Sequence, residues 1–596
     1  MLKIRPFITA LGFIILSTQV QSQTFSTVNT SIPGLGKSST VWGDYDNDGD
    51  LDLAIQGGTV SDVATTRIYR NDNGVFTDIG ANLVALRDGC LNWVDYNKDG
   101  NLDLFIMGIA DNYERCSILY RNEGNGNFVK SQFLFPGVAS GKSAWGDLDK
   151  DGYPDLVISG DTLSLNAFTA VYRNLEGNGF QKLEVPIPNL VSSMITIGDV
   201  DCNGDLDILI GGDGGSGNIT KIYYNYGMEF VEGTWPFEGT TAGSIALVDV
   251  NRDGYPDIIS MGMDFLVGES IFKIYINNQN DNWTEQISYF SGLFTGNISL
   301  ADFNLDGITD FVATGKSNGC GSAATFLYLG VGNGKFNELP TDFPPMTYAS
   351  VAAADYDLDG DPDLILTGIN GNGYPQTLLY KNDLSTNIFG SAPVPTVSLE
   401  NIVSNVNYFE GLGWHIIFSW APVEVIPQNK SLTYNIVVGT MPHDGSVLPV
   451  ASDLGTEKIY LPAMGNAGQD TIKVLEKIRD GGYYWSTQTV DAAFRTSSFS
   501  DWQLLMVLTG IEETNGKMVL GLYPNPAQNV LSVNLAVQPV SKAMASITDL
   551  NGKVVKSFIV SEKTTVTNID DLQSGLYLLS LNTGDELITA KFIKSN

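Results

Sequence analysis

The chain is poor in histidine, in cysteine and in positive charge. Its two histidines, His415 and His443, lie beyond the first 400 of 596 residues. A Ser-His or Cys-His mechanism in the first two thirds is therefore excluded. The two are also too far apart in sequence for a local metal motif. Four cysteines make no disulfide framework for so long a chain. Cys90 and Cys116 stand 26 residues apart within one repeat and can pair or stay as thiols, whereas Cys202 and Cys320 have no evident partner. Lys and Arg total 33 against 67 Asp and Glu, a net charge of −34. Nucleic acid, which needs basic patches, is excluded as a partner, and anionic lipid is disfavoured. Beyond the first residues no apolar run is long enough for a membrane helix, so no transmembrane segment is expected. Helical periodicity is almost absent. No nucleophile elbow, zincin helix or phosphate loop appears, and the Gly-Lys pairs at Gly334 and Gly552 lack the rest of a P-loop.

What is present begins with an address. Lys3 and Arg5 precede an apolar stretch from Phe7 to Leu16 and then small polar residues. Residues 1–22 read as a secretory signal peptide, too short to span a bilayer, with cleavage expected after Ser22. No cysteine near that point supports a lipid anchor. The remaining length suggests three or four domains, and 43% hydrophobic content is ordinary for a folded chain.

The dominant feature is a repeated acidic loop. DYDNDGDLD at Asp44 is followed by relatives starting at Asp95, Asp147, Asp199, Asp249, Asp302 and Asp355, in steps of 51, 52, 52, 50, 53 and 53 residues. A period this regular marks an array of one supersecondary unit. An apolar residue, Trp42, Trp93 or Trp145 in three units, stands two before the first Asp. A Tyr follows 24 to 26 residues later: Tyr69, Tyr120, Tyr172, Tyr223, Tyr275, Tyr328 and Tyr380. β-rich runs and Asn/Gly turns give four short strands per unit. The fold class expected is all-β, with residues 23–388 as a seven-bladed β-propeller and the Trp and Tyr as core between blades.

Within each loop, oxygen-bearing side chains occupy the first, third, fifth and ninth positions around an invariant sixth-position Gly. The candidate metal ligands are Asp44, Asp46, Asp48 and Asp52 in loop 1, and Asp95, Asn97, Asp99 and Asp103 in loop 2. Loop 3 offers Asp147, Asp149, Asp151 and Asp155; loop 4 offers Asp199, Asp201, Asn203 and Asp207. Loop 5 has Asp249, Asn251, Asp253 and Asp257; loop 6 has Asp302, Asn304, Asp306 and Asp310. Loop 7 has Asp355, Asp357, Asp359 and Asp363. Alternate positions let one tight turn aim several oxygens inward, and a carbonyl at the seventh position can add another. An EF-hand needs Glu at position twelve and flanking helices; here that position is Ile55, Ile106, Ile158, Ile210, Ser260, Ala313 or Leu366, inside a strand. The ninth-position Asp is expected to close the cage instead. Hard oxygen donors in a flexible turn select Ca²⁺. Seven ions would bring the net charge from −34 to about −20.

Loop, period and Tyr together resemble the FG-GAP/VCBS repeats, the propeller repeats also found in integrin α-subunit heads. The resemblance covers residues 24 to 388 and implies calcium at these aspartates; ligand sites differ across that family and do not carry over. One further count concerns ring closure. Phe76, Phe128, Phe180, Phe230, Trp283 and Phe336 each stand 17 residues before the apolar position ahead of a loop, and 17 back from Trp42 is Phe25. Residues 24–32 are thus expected to supply the outer strand of the last blade.

Residues 389–396 form a Pro-bearing linker. Residues 397–508, with WHIIFSW, LTYNIVVG and YYWSTQTVD, resemble a fibronectin type III β-sandwich in which Trp420 meets Tyr484 and Trp485. After a linker at 509–519, residues 520–596 carry LYPNPAQNVLSV, ITDLNGKVV and LQSGLYLLSL. They resemble the type A C-terminal sorting domain of the type IX secretion system, which implies the secretion machinery as a partner and a secreted or cell-surface destination in a Gram-negative bacterium. Pro524 and Pro526 would break the chain ahead of this second sandwich, and Asn551-Gly552 would make a hairpin turn.

Two functions compete: a binding or adhesion module for an extracellular glycan or protein, and a secreted polysaccharide-active enzyme, a lyase or glycosidase using a carboxylate pair. The absence of a catalytic motif favours binding. The expected ligand face is opposite the acidic loops, where the turns at 109–116 and 262–270 differ in length and chemistry.

Overall fold

The computed structural model describes residues 24–384, 405–507 and 520–594, apart from 165, 266, 288–289, 318–321, 410–412, 424–430, 480, 524–526, 536–542, 550–552, 563 and 583–586. The signal peptide, both linkers, Cys320, Pro524, Pro526 and Asn551-Gly552 lie outside the described residues.

Among the described residues every regular element is a strand or bridge. Blade 1 sets the pattern: Gly36–Gly43, Asp52–Gly58, Ala64–Asp72 and Val75–Asp78 form an antiparallel meander. Its second strand, DLAIQGG, is buried on both faces, as a strand pressed between two neighbouring sheets must be. That is why these strands read as continuous apolar runs rather than alternating ones. The same meander recurs in six further blades, whose second strands start at Asp103, Asp155, Asp207, Asp257, Asp310 and Asp363.

Seven hydrophobic clusters hold the ring, each shared by two adjacent blades. Tyr45, Ala54 and Ile68 of blade 1 pack with Trp93, Leu104 and Tyr120 of blade 2. The series ends with Trp42, Tyr69 and Phe76 of blade 1 against Tyr356 and Ile365 of blade 7. Trp42 and Tyr356 stack with centroids 6.3 Å apart. The recurring aromatics are therefore buried between blades, closed to any ligand.

The last blade takes its outer strand from the N-terminal segment. Phe25–Val28 runs antiparallel to Pro375–Asn382, with Phe25 opposite Asn382 and Val28 opposite Leu379. Phe25 also sets its ring 5.1 Å from Phe343. The two ends of the ring are tied by main-chain hydrogen bonds, which removes an exposed edge.

Two sandwiches follow. In the first, the sheet Asn405–Phe409, Gly413–Ser419, Ile472–Ile478 faces the sheet Leu432–Gly439, Gly481–Asp491, Gln503–Val507. Its core gathers Trp420 and Trp485 in one cluster, with Trp420 packed on Tyr434 at 5.7 Å and Trp485 on Phe418 at 4.9 Å. In the second, Leu531, Val533, Ala545, Leu579 and Phe592 fill the space between a three-stranded and a four-stranded sheet. The strands Ala543–Thr548 and Val554–Val560 flank the Asn-Gly pair as a hairpin does. Cys90 and Cys116 are free thiols rather than a disulfide; the Cys90 sulfur lies 3.1 Å from Ser143 Oγ.

The sequence did not announce where the first sandwich sits. It lies on the face of the ring that carries the acidic loops. Leu461, Pro462 and Ala463 reach the channel mouth, beside Val41, Asn92, Ser143 and Ile195 of the innermost strands.

Candidate metal centres on the acidic loops

Five of the seven loops are wound around their first Asp by two backbone amides. In loop 3 the Gly152 amide alone reaches Asp147, and in loop 4 both Asp199 oxygens lack a partner. In loop 1 the Asp44 carboxylate accepts the amides of Asp48 and Gly49, each at 3.0 Å. In loop 2 Asp95 accepts those of Asp99 at 3.1 Å and Gly100 at 2.9 Å. The same pair of bonds reaches Asp249, Asp302 and Asp355. The sixth-position glycine makes the turn possible: φ is 96° at Gly49 and 103° at Gly360, a region costly for residues with a Cβ.

The structure gathers the expected carboxylates to different degrees. Oxygens of Asp44, Asp46 and Asp48 lie within 4.8 Å of one another, as do those of Asp355, Asp357 and Asp359. In loops 3 and 4 the ninth position joins instead, giving Asp147, Asp149, Asp155 and Asp199, Asp201, Asp207. Each of these four groups can hold a metal ion. In loops 2, 5 and 6 the third position is Asn97, Asn251 or Asn304, and its amide donates to Asp99, Asp253 or Asp306 at 2.9–3.0 Å. The ninth-position aspartates have a second task. Asp52, Asp103, Asp155, Asp207, Asp257, Asp310 and Asp363 are all fully buried. Most clamp two backbone amides, as Asp155 does with Leu148 at 3.0 Å and Asn174 at 2.7 Å.

Unmet hydrogen-bonding capacity tests whether a cation fits. Asp46 Oδ1, Asp103 Oδ2, Asp147 Oδ1 and both Asp199 oxygens are buried without a hydrogen-bond partner. Buried carboxylate oxygens without donors are costly, and a hard cation would satisfy them. The electrostatics agree. Burial, aided by neighbouring carboxylates, pushes Asp44 and Asp95 up to about 6 and Asp147, Asp199, Asp249, Asp302 and Asp355 to about 7. Burial carries Asp155, Asp257 and Asp310 to about 8, and Asp52 and Asp103 to about 9. A bound divalent ion would reverse these shifts. Three loops already have a cationic side chain at the cage: Arg173 pairs with Asp149, Lys477 with Asp201 at 2.6 Å, and Lys381 with Asp357 and, at 2.7 Å, Asp359.

Two residue sets escaped the sequence reading. Asp361, seventh in loop 7, is fully buried with both oxygens unpartnered, and burial lifts it to about 9. A seventh-position Asp was visible, but the general loop pattern assigns that place to a carbonyl. The second set is an Asn two residues after six of the seven recurring Tyr. Asn122 Nδ2 donates to Leu102 O at 3.1 Å in its own blade and to Tyr45 O at 2.8 Å in the blade before. Asn71, Asn174, Asn225, Asn277 and Asn382 likewise join two adjacent loops. The signal was the tripeptide Tyr-x-Asn, present in six of seven units. Blade 6 has Gly330 there, where a Cβ would stand 2.5 Å from Thr309 O. A backbone bond from Gly334 to Val250 O, 2.9 Å, makes that link instead.

The histidines take no part in the cages. His415 faces Glu476 at 3.4 Å, and His443 lies beside Trp502.

Comparison with known proteins accords with this geometry. The FG-GAP-like repeat model matches residues 44–106, 95–158, 199–260 and 302–366, and the secretion system C-terminal sorting domain model matches 521–595. The chain therefore carries FG-GAP-like repeats and ends in a secretion system C-terminal sorting domain. It is accordingly a secreted or cell-surface protein. No curated protein matches it. Among solved structures, similarity extends to the extracellular domain of BT3049 from B. thetaiotaomicron, described as a hybrid two component system, at 13% identity and TM-score 0.38. That match covers 81% of this chain, which spans 57% of the other's length. The V. cholerae biofilm matrix protein Bap1 is 10% identical with TM-score 0.30, over 96% of this chain and 90% of its own. These likenesses carry no functional argument. Among the described residues no helix is long and apolar enough to cross a membrane.

Proposed function

We propose that this FG-GAP-like protein is a calcium-stabilised binding module, not an enzyme, and that it takes an extracellular glycan or protein on the face opposite the acidic loops. The observation that carries this reading is the contrast in cover. The acidic-loop face lies under the first sandwich, whereas the turns between second and third strands stand open. Those turns present large apolar side chains to solvent: Tyr113 is 69% exposed, Tyr374 62% and Phe265 59%. Each belongs to a different blade, so the exposed rings surround one end of the channel rather than forming a single chance patch. Calcium is favoured over other cations by the all-oxygen donor set and the absence of histidine or cysteine from the cages.

The test is to present the calcium-loaded protein with a panel of polysaccharides and surface proteins, scoring both retention and cleavage. Retention without cleavage supports the reading, and cleavage returns the polysaccharide-active alternative. Replacing 109–116 and 262–270 by Gly/Ser is expected to abolish retention; unchanged retention would count against this face.

A further inference from the structure

The fourth residue of each acidic loop is no metal ligand, yet it adopts a left-handed backbone in all seven blades. The residues are Asn47, Lys98, Lys150, Cys202, Arg252, Leu305 and Leu358, with φ between 55° and 63°. That conformation is uncommon for side chains of this kind. With positions three and five turned inward, position four is turned out of the cage.

What it meets there is the first sandwich. Lys98 Nζ pairs with Asp453 at 3.1 Å, and Lys150 Nζ donates to Val447 O at 2.8 Å. Arg252 pairs with Asp470. Where the loop offers no cation the sandwich supplies one: Lys458 reaches Asn47 Oδ1 at 3.1 Å, and Lys477 reaches the cage residue Asp201 at 2.6 Å. Cys202 packs with Val474 of the sandwich, and its carbonyl accepts the Glu476 amide at 2.6 Å. First-position amides add to this, Asp95 to Tyr460 O at 3.1 Å and Asp355 to Ala492 O at 3.0 Å. In loop 6 Thr309 Oγ1 donates to Gln469 Oε1 at 3.1 Å, so polar contacts reach the sandwich from all seven loops.

We propose that these fourth positions form a docking surface for the sandwich at 405–507, and that calcium in the loops controls the docking. The proposal rests on the calcium reading above. Three carboxylates within 4.8 Å repel one another when ionised and unscreened by a cation, so an empty loop is not held in the shape that aims its fourth residue outward. Each contact alone is weak, because partly exposed ion pairs contribute little. Several engaged at once through a tether bind far more strongly than any one of them. Removing calcium disturbs all of them together, which makes the interface switchable. Release would uncover the channel mouth that Leu461–Ala463 now occupies.

Two readouts on the mature full-length chain separate the proposal from the reading it rests on. Melting of the ring reports calcium. Hydrogen exchange at the Glu476 amide reports docking, because its partner is in the ring while its own strand is in the sandwich. In EDTA that amide is expected to exchange about tenfold faster or more, returning to protection when Ca²⁺ is restored. The triple variant Lys98→Ala, Lys150→Ala, Arg252→Ala spares every cage residue. It is expected to lose the protection in Ca²⁺ while keeping the calcium-dependent melting shift. Protection unchanged by EDTA while the ring melts lower overturns the switch and leaves the calcium reading intact. No response of either readout to EDTA overturns both. Should EDTA unfold the ring outright, the triple variant in Ca²⁺ decides, and full protection in it refutes the docking surface.

Discussion

The two faces of the ring are built on opposite rules. On one, seven loops repeat nearly the same nine residues, share most of their hydrogen bonds and are covered by a second domain. On the other, the turns between second and third strands are similar in length but differ in sequence and chemistry, and lie open. Repetition within one chain marks what the ring needs in order to form: a turn that holds its charges and joins the next blade. Variation marks where the ring is free to differ. The uniform face therefore accounts for stability, and the proposed binding role is assigned to the irregular one.

The sharpest way to break that division is to remove metal. Each ion bound only by the folded state adds roughly 2.7 kcal/mol at a hundredfold excess over Kd. Several such sites, even if not additive, are expected to separate the melting points in EDTA and in millimolar Ca²⁺ by roughly 10 °C or more. Coincident calorimetric melts would end the metal reading. Ring closure comes next. Deleting residues 24–32 removes the strand paired with Pro375–Asn382 and takes Ile32 out of the cluster between blades 7 and 1. A loss of about 5 kcal/mol or more is expected, measured by urea unfolding, since one buried Ile alone is worth roughly 2–5 kcal/mol. An unchanged midpoint would show that the closing strand is dispensable.

Acidity gives a third comparison, with a sign that depends on the ion. Without metal, burial raises Asp44 from 3.8 to about 6 and Asp52 to about 9, with other first- and ninth-position aspartates such as Asp147 and Asp155 in between. The folded state then binds more protons than the unfolded state across that window. Stability of the metal-free protein is full at low pH and is lost as pH rises from about 4 to about 9. Calcium needs the ionised form, so the loaded protein is expected to gain stability over the same range. Melts in EDTA and in Ca²⁺ should therefore diverge as pH rises; parallel curves would contradict the assignment.

A smaller effect isolates a single link. Asn122→Ala leaves Tyr45 O and Leu102 O without their donor and is expected to cost about 1–3 kcal/mol. That residue also shows what the sequence made legible. Fold, loop geometry and closing strand were readable because each rests on spacing along the chain. The Asn links were missed, although Tyr-x-Asn was in plain view, because their partners are 77 residues away in Asn122 and Asn225 alike. The docking of the sandwich was missed for a related reason. Position four carries no common residue type in the motif, since its residues match a surface elsewhere in the chain and not one another.

The smallest expected effect lies on the open face and has the opposite sign. Ala110–Glu114 closes as a tight turn, with the Tyr113 amide on Ala110 O at 2.8 Å and the Ala110 amide on Glu114 O at 2.9 Å. Blade 7 makes the same turn, where the Gly373 amide bonds Asn370 O at 2.8 Å. The residue at the left-handed corner is Gly373 in one, φ 84°, and Tyr113 in the other, φ 65°. Glycine is at ease there, whereas a residue with a Cβ is held at a cost of roughly 1–2 kcal/mol. With 69% of its surface exposed, Tyr113 recovers little of this through packing. Tyr113→Gly is therefore expected to stabilise the ring, by up to about 1 kcal/mol in urea unfolding. If the binding proposal is right, the same change weakens ligand retention, so stability and retention move in opposite directions. A variant that loses stability would mean that the ring uses this tyrosine after all, and the division between the two faces would fail at that blade.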